Sequence, residues 1–391
     1  MKRLRQLVVS GDVYSEAASV CYNDQEPIGL ANSQEVQAFR ERLAAEGWTK
    51  ESEESGREEW SARYSVFVEA EALPEGMCKL LRREDGARGG SVAASGEWAA
   101  FSATGVAVVR NGVDRTRLAV QGKESPAVAM DDGRLLVGLA GPGIVAVYEI
   151  AGAEWTKTAE IAVDKGLCEK GFGASVALHG DTMAAIGQIR GRPMTYVFER
   201  DGRDWRMSAR IPGPLLGLAL HDNWLILAAN GSVQAYRRTA GSWNFHSSFG
   251  KPQVCSVAMH AGRLAVYSMN PGLVCLYRFG GESWELEREI AVQDSSSEHP
   301  LVLGDGILAA GDPGRFGGSG GVDVLVERGG KWVLEQTIVL ADRRMGDRFG
   351  RGLALSGNEL TVCSDAGFWV YSYSLLIPAR QDGLASIPYR E

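Results

Sequence analysis

The stretch GFGASVALHGDTMAAIGQIRGRPMTYVFERDGRDWRMSARI, residues 171–211, decides the fold. A short apolar strand, SVALH, meets a Gly-Asp turn. A second apolar strand meets a Gly-Arg turn, a third ends in Tyr196-Val197-Phe198, and a fourth begins at Trp205. Four short β-branched or apolar runs punctuated by glycine are the pattern of a small antiparallel sheet.

The same order of parts returns along the chain. It is clearest in PAVAMDDGRLLVGLAGPGIVAVYEIAGAEWTKTAEIAV at 126–163 and SVAMHAGRLAVYSMNPGLVCLYRFGGESWELEREIAV at 256–292, and weaker copies begin at Ser91 and Phe349. The central apolar residue of the first strand falls at Val92, Val128, Val176, Leu218, Val257, Leu301 and Leu353, spaced 36 to 52 residues apart. In five units a tryptophan follows 25 to 31 residues later, at Trp155, Trp205, Trp243, Trp284 and Trp332. A unit of about 40 residues cannot bury both faces of its sheet alone, so neighbours must stack. Radial stacking also protects the strand edges. The expected fold is all-β: a seven-bladed β-propeller of four-stranded blades, with a small N-terminal α/β appendage.

The seventh unit, from Phe349 to Leu375, has three strands and no Trp strand. Gly56-Arg57-Glu58-Glu59-Trp60 repeats the layout of Gly329-Gly330-Lys331-Trp332, so residues 60–70 are expected to supply its outer strand and close the ring. The domain reading is an appendage at 1–55, a propeller at 56–377 and a C-terminal tail at 378–391. Within the appendage, Leu4 to Val9 reads as a strand. Asn32 and Glu35 form a capping box ahead of a helical stripe of Val36, Phe39 and Leu43. The acidic run at 51–59 is expected to be a solvated segment.

These units resemble FG-GAP repeats, the units of integrin alpha-chain propellers and of many bacterial propeller proteins. Phe172-Gly173 and Phe349-Gly350 match the Phe-Gly of that name, and Gly311-Asp312-Pro313 is similar to its second half. Tyr148 and Tyr196-Val197-Phe198 match its third strand. The resemblance implies a binding scaffold whose loops on one face take the ligand. It does not extend to calcium, because no D-x-D-x-D-G loop occurs; Asp131-Asp132-Gly133 and Asp312-Pro313-Gly314 read as turns.

Composition narrows the function. Lys plus Arg number 41 against 49 Asp plus Glu, a net charge of -8, which argues against nucleic acid. No window reaches the roughly 18 apolar residues of a membrane span, and no signal-peptide pattern opens the chain, so a cytoplasmic location is expected. The six cysteines show no zinc-ligand spacing and are expected to be reduced, with Cys255, Cys275 and Cys363 inside apolar strands. The Gly-rich run at 311–321 lacks the ending of a phosphate loop and reads as a strand connection.

Two cationic connections stand out: Arg343, Arg344 and Arg348 before the seventh unit, and Lys165 and Lys170 before the third. Connections between blades gather on one face near the opening, so these side chains are the candidate ligand-binding residues, suited to an acidic protein or carbohydrate. The leading expectation is a non-catalytic scaffold without metal or cofactor. The alternative is a glycosidase- or lyase-like enzyme with carboxylates such as Asp294, Asp347 or Asp365 at the central opening. Three of five histidines, His179, His221 and His260, share one register. They are expected to be hairpin-turn residues on blades too far apart for coordination bonds of about 2 Å.

Overall fold

The computed structural model describes the strands named below, residues 36–38 and 41, and the stretch 90–365. Within that stretch it omits 104–105, 112–113, 121–124, 153, 165–167, 169, 214–215, 230, 251–252, 270–271, 293–298 and 341–343. For the strands before residue 90, most of 103–115 and 369–375, the description is of the backbone. The chain divides into two units, Met1–Glu75 with Leu340–Arg343, and Gly76–Val339 with Arg344–Glu391.

In the first unit, strands Ile28–Leu30, Ala18–Tyr22, Lys2–Asp12, Glu59–Glu69 and Thr49–Ser55 lie in that order in one sheet. All four pairings are antiparallel. Residues 36–38 and 41 are helical: Val36 is buried, Gln37 is exposed, and the Gln37 amide donates to Glu41 Oε1 at 2.9 Å, while Asn32 and Glu35 of the capping box lie outside the described residues. Phe39 and Leu43 lie outside the described residues. Of the acidic run, 51–55 lie in Thr49–Ser55, which pairs with Glu59–Glu69, and 56–58 lie outside the described residues.

In the second unit, the described residues form seven four-stranded antiparallel sheets. Each is lettered A to D outward from the axis. Blade 1 is Val92–Ser95, Trp98–Ala103, Val106–Asn111 and Asp114–Ala119; blade 2 is Ala127–Asp131, Arg134–Leu139, Ile144–Ala151 and Glu154–Ala162. Blade 3 is Val176–His179, Thr182–Ile189, Arg192–Asp201 and Asp204–Pro212; blade 4 is Gly217–His221, Trp224–Ala229, Ser232–Thr239 and Ser242–Phe249. Blade 5 is Val254–His260, Arg263–Ser268, Leu273–Phe279 and Trp284–Ala291; blade 6 is Leu301–Gly304, Ile307–Asp312, Gly321–Arg328 and Lys331–Ile338. Blade 7 takes Gly352–Ser356, Glu359–Cys363 and Trp369–Leu375 from the C-terminal end and Cys78–Asp85 as its outer strand. The A strands touch in sequence, and that of blade 7 meets that of blade 1, so the ring is closed.

The closing strand corrects the sequence reading. Residues 60–70 were expected there, but Glu59–Glu69 pairs with Lys2–Asp12 and Thr49–Ser55, and Cys78–Asp85 pairs with Trp369–Leu375. The turn-plus-tryptophan pattern is therefore not required of an outer strand. What blade 7 shares with blades 2 to 6 is a register shift between strands C and D, here between Ser372 and Tyr373. Such a bulge bends the outer strand and increases its twist.

The cores lie between blades. Strand B sends alternate side chains to opposite neighbours: Leu135 and Val137 pack toward blade 1, and Leu136 packs with Phe172, Met183 and Tyr196 of blade 3. In blade 4, Leu225 and Leu227 join blade 3 while Ile226 and Ala228 join blade 5. Each tryptophan that opens a D strand packs toward the preceding blade, as Trp155, Trp205, Trp243, Trp284 and Trp332 all do. Fully burying a leucine, valine or phenylalanine side chain in these cores contributes roughly 1.5 to 3 kcal/mol.

Two of these interfaces share a backbone lock. A Cβ on Gly138 would lie 2.2 Å from the Gly173 carbonyl oxygen, and one on Gly311 would lie 2.0 Å from that of Gly350. The Phe-Gly of blades 3 and 7 thus sits against the end of strand B in the preceding blade, with Phe172 and Phe349 buried beside it. Only glycine on both sides permits that approach.

Cys168, Cys275 and Cys363 are buried free thiols, and Cys255 is half-buried. Burial pushes the Cys363 thiol up to about 12, which removes the nucleophilic thiolate at neutral pH. Under native conditions, iodoacetamide is expected to label Cys255 at least about 100-fold faster than Cys275 or Cys363. Mass-spectrometric rates before and after denaturation check this. Among the described residues no helix is long and apolar enough to cross a membrane.

Candidate functional site

In an antiparallel four-stranded blade, the A–B and C–D turns lie at one end of the ring and the B–C and D–A connections at the other. Both ends gather polar residues near the axis. At the first, every A–B connection is a two-residue hairpin, and strand A ends at one register position in all seven blades. Its occupants are Ser95, Asp131, His179, His221, His260, Gly304 and Ser356.

Several of these side chains reach the turn of the next blade. Ser356 Oγ donates to the Gly96 carbonyl at 2.8 Å, and Ser95 Oγ accepts from the Asp132 amide at 3.1 Å. Asp131 Oδ2 accepts from the Gly180 amide at 2.6 Å, and His179 Nε2 lies 3.2 Å from Asp222 Oδ1. The histidine expectation is overturned here. The His179 and His221 rings stack with centroids 4.3 Å apart and 24° between planes, and His260 meets His221 edge-on at 5.2 Å. The A strands are the innermost, where wedge-shaped blades converge, so side chains at their ends touch across blade boundaries.

The electrostatics of this arc are coupled. Burial pushes the His221 imidazole below its ordinary value and the neighbouring His179 adds to that, against the pull of Asp222. Partial burial acts to raise the Asp222 carboxyl, but His221 and His179 outweigh it and hold the group below its ordinary value. Asp131 stands on the other side, its Oδ2 3.7 Å from His179 Nδ1.

The opposite end holds those of the cationic residues expected to bind ligand that are described. Lys165 and Arg343 lie outside the described residues. Lys170 forms a backbone bridge with Gln188 on the connection into blade 3. Arg344 is exposed and Met345 is 74% exposed. Arg348 lies 3.5 Å from Asp365 Oδ2. Blades 1 and 2 separate blades 7 and 3, so Lys170 and the arginines do not adjoin. The 344–349 loop is held by main-chain bonds: the Gly346 and Arg348 amides both donate to the Gly318 carbonyl, at 3.1 and 2.9 Å.

Two of the three carboxylates named for catalysis are engaged elsewhere. Asp347 is buried, and its Oδ2 accepts from the Arg344 amide at 2.6 Å. Asp365 accepts from Arg351 at 2.9 Å on both oxygens. Asp294 lies outside the described residues. Sequence reasoning missed a buried group on the same side. Arg315, within the glycine-rich 311–321 connection, forms a bidentate pair with Asp323 at 2.7 and 2.8 Å, and Thr337 Oγ1 donates to Asp323 Oδ1 at 2.6 Å. Arg315 and Asp323 stand eight residues apart on either side of a turn, and only the folded connection joins them.

No family of proteins and no curated protein matches the chain in sequence. Solved structures do match in shape. The WD40 domain of Toxoplasma gondii coronin superposes with a TM-score of 0.59 at 11% identity, covering 79% of this chain and 88% of that one. A chain of the mitotic checkpoint complex superposes with a TM-score of 0.57 at 14% identity, covering 79% and 98%. The fold is a β-propeller. At these identities the likeness is one of architecture, and the site must be argued from this chain's own residues.

Proposed function

We propose that the chain is a non-catalytic interaction scaffold that holds a protein or glycan ligand through its inter-blade loops. The observation that carries this reading is the 344–349 loop: an exposed arginine and an exposed methionine on a turn fixed by main-chain hydrogen bonds. A pre-ordered loop binds with little loss of conformational entropy, and its cation favours an acidic surface. The engagement of Asp347 and Asp365 supports the non-catalytic reading over the enzymatic one, which needs two converging, available carboxyl groups. One fold of similar shape is found in the mitotic checkpoint complex, a setting of the same kind as the one proposed.

We further propose that the units are of FG-GAP type. The support is the lock of Phe172-Gly173 on Gly138 and of Phe349-Gly350 on Gly311, which gives those sequence positions a packing reason.

Replacing Arg343 and Arg344 by serine tests the loop. Quantitative pull-down from lysate is expected to show acidic partners captured at about a third or less of the unsubstituted level, with capture also falling as salt rises. Equal capture by both forms removes this loop from the proposal.

A further inference from the structure

The histidine arc goes beyond the scaffold reading. His179 comes from blade 3 and His221 and Asp222 from blade 4, and one ligand atom from each falls within 4.8 Å of the others. Two ligands bound to one ion at about 2.0–2.1 Å stand roughly 3.0–3.5 Å apart. His179 Nε2 and Asp222 Oδ1 are already 3.2 Å apart, and His221 Nδ1 and Asp222 Oδ2 are 3.0 Å apart. Asp222 is 61% exposed, so its side chain is free of packing that would resist the remaining adjustment.

We propose that His179, His221 and Asp222 bind a divalent transition-metal ion of the zinc class across the boundary between blades 3 and 4. Two imidazoles and one carboxylate form a nitrogen-rich donor set, which suits zinc, copper or nickel better than calcium or magnesium. Asp131 faces the other nitrogen of His179, where an outer carboxylate orients a metal-ligating imidazole. His260 walls the third side. With the exposed side of Asp222 turned to solvent, the ion keeps a coordination position open for water or for a donor group of a bound partner.

The test uses the full chain, stripped with a chelator and titrated with Zn2+ by calorimetry and with Co2+ by visible absorption. Asp222→Asn is the main variant, because asparagine tolerates the positive φ of 50° at this turn. The expected result is one ion per chain. Affinity should fall roughly ten-fold or more in Asp222→Asn and in His179→Ala, and stay unchanged in His246→Ala, which lies on a D strand. The Co2+ spectrum should show nitrogen and oxygen ligation without thiolate charge transfer. The proposal is overturned if the unsubstituted chain retains no ion, if both site variants bind within two-fold of it, or if the Co2+ spectrum shows a thiolate. Should a variant fail to fold, the stoichiometry and Co2+ spectrum of the unsubstituted chain decide alone.

Discussion

Gly311→Ala is expected to destabilise the protein by about 3 kcal/mol or more, measured as a fall in the denaturant midpoint at constant slope. The added Cβ would stand 2.0 Å from the Gly350 carbonyl oxygen and 3.1 Å from Pro300. Neither the carbonyl nor the strand can step aside cheaply. The Gly311 amide is itself bound to the Pro300 carbonyl at 2.9 Å, and the Gly350 amide to the Cys363 carbonyl at 3.0 Å. The interface between blades 6 and 7 would have to open, and with it the contacts of the buried Phe349. Gly304→Ala in the same blade is the comparison. Its Cβ would meet Leu355 Cδ2, the far end of a side chain, at 2.7 Å, so a loss of about 1 kcal/mol or less is expected. Equal losses in the two variants would show that the backbone lock is not what holds these blades together.

Asp323→Ala carries the second large effect, about 3 to 5 kcal/mol. It takes the bidentate carboxylate from Arg315, which is only 7% exposed and whose Nε stands 3.7 Å from Asp312 Oδ2. Stripping a buried guanidinium of its bidentate carboxylate is strongly disfavoured, whereas an apolar pair of similar volume is not. The double variant Arg315→Met with Asp323→Leu is therefore expected to recover most of the loss. If the double variant is as unstable as the single one, the pair holds the connection by shape and not by compensating charge.

The repeat was legible because each link in it has a physical cause that leaves residues behind. Glycine marks the reversals, alternating apolar residues fill two inter-blade cores, and tryptophan opens the outer strand. From those marks the seven blades and the positions of Trp155, Trp205, Trp243, Trp284 and Trp332 could be read. The closing strand could not, because Cys78–Asp85 carries no tryptophan and is recognised only by its partner. Trp60 misled for the converse reason: its local pattern fits an outer strand, but the backbone of Glu59–Glu69 finds two other partners.

The candidate sites divide in the same way. Charge along the chain singled out the connection that carries Arg344, which is exposed, and Arg348, which is half-buried. The shared register of His179, His221 and His260 was also visible, but their separation depends on how far from the axis strand A ends. That distance is a property of the ring and not of any one blade. The engagement of Asp347 with the Arg344 amide and of Asp365 with Arg351 likewise appears only when the connection into blade 7 is folded.

Ring closure by Cys78–Asp85 is tested most directly with one substitution, Leu375→Cys. Leu375 and Cys78 are Cα partners in the antiparallel pair that completes blade 7, a spacing that suits a disulfide. Mild oxidation followed by peptide mapping is expected to find the introduced thiol joined to Cys78 in nearly every molecule. An introduced thiol that stays free, or that joins any other cysteine while Cys78 remains reduced, would contradict the closure described here.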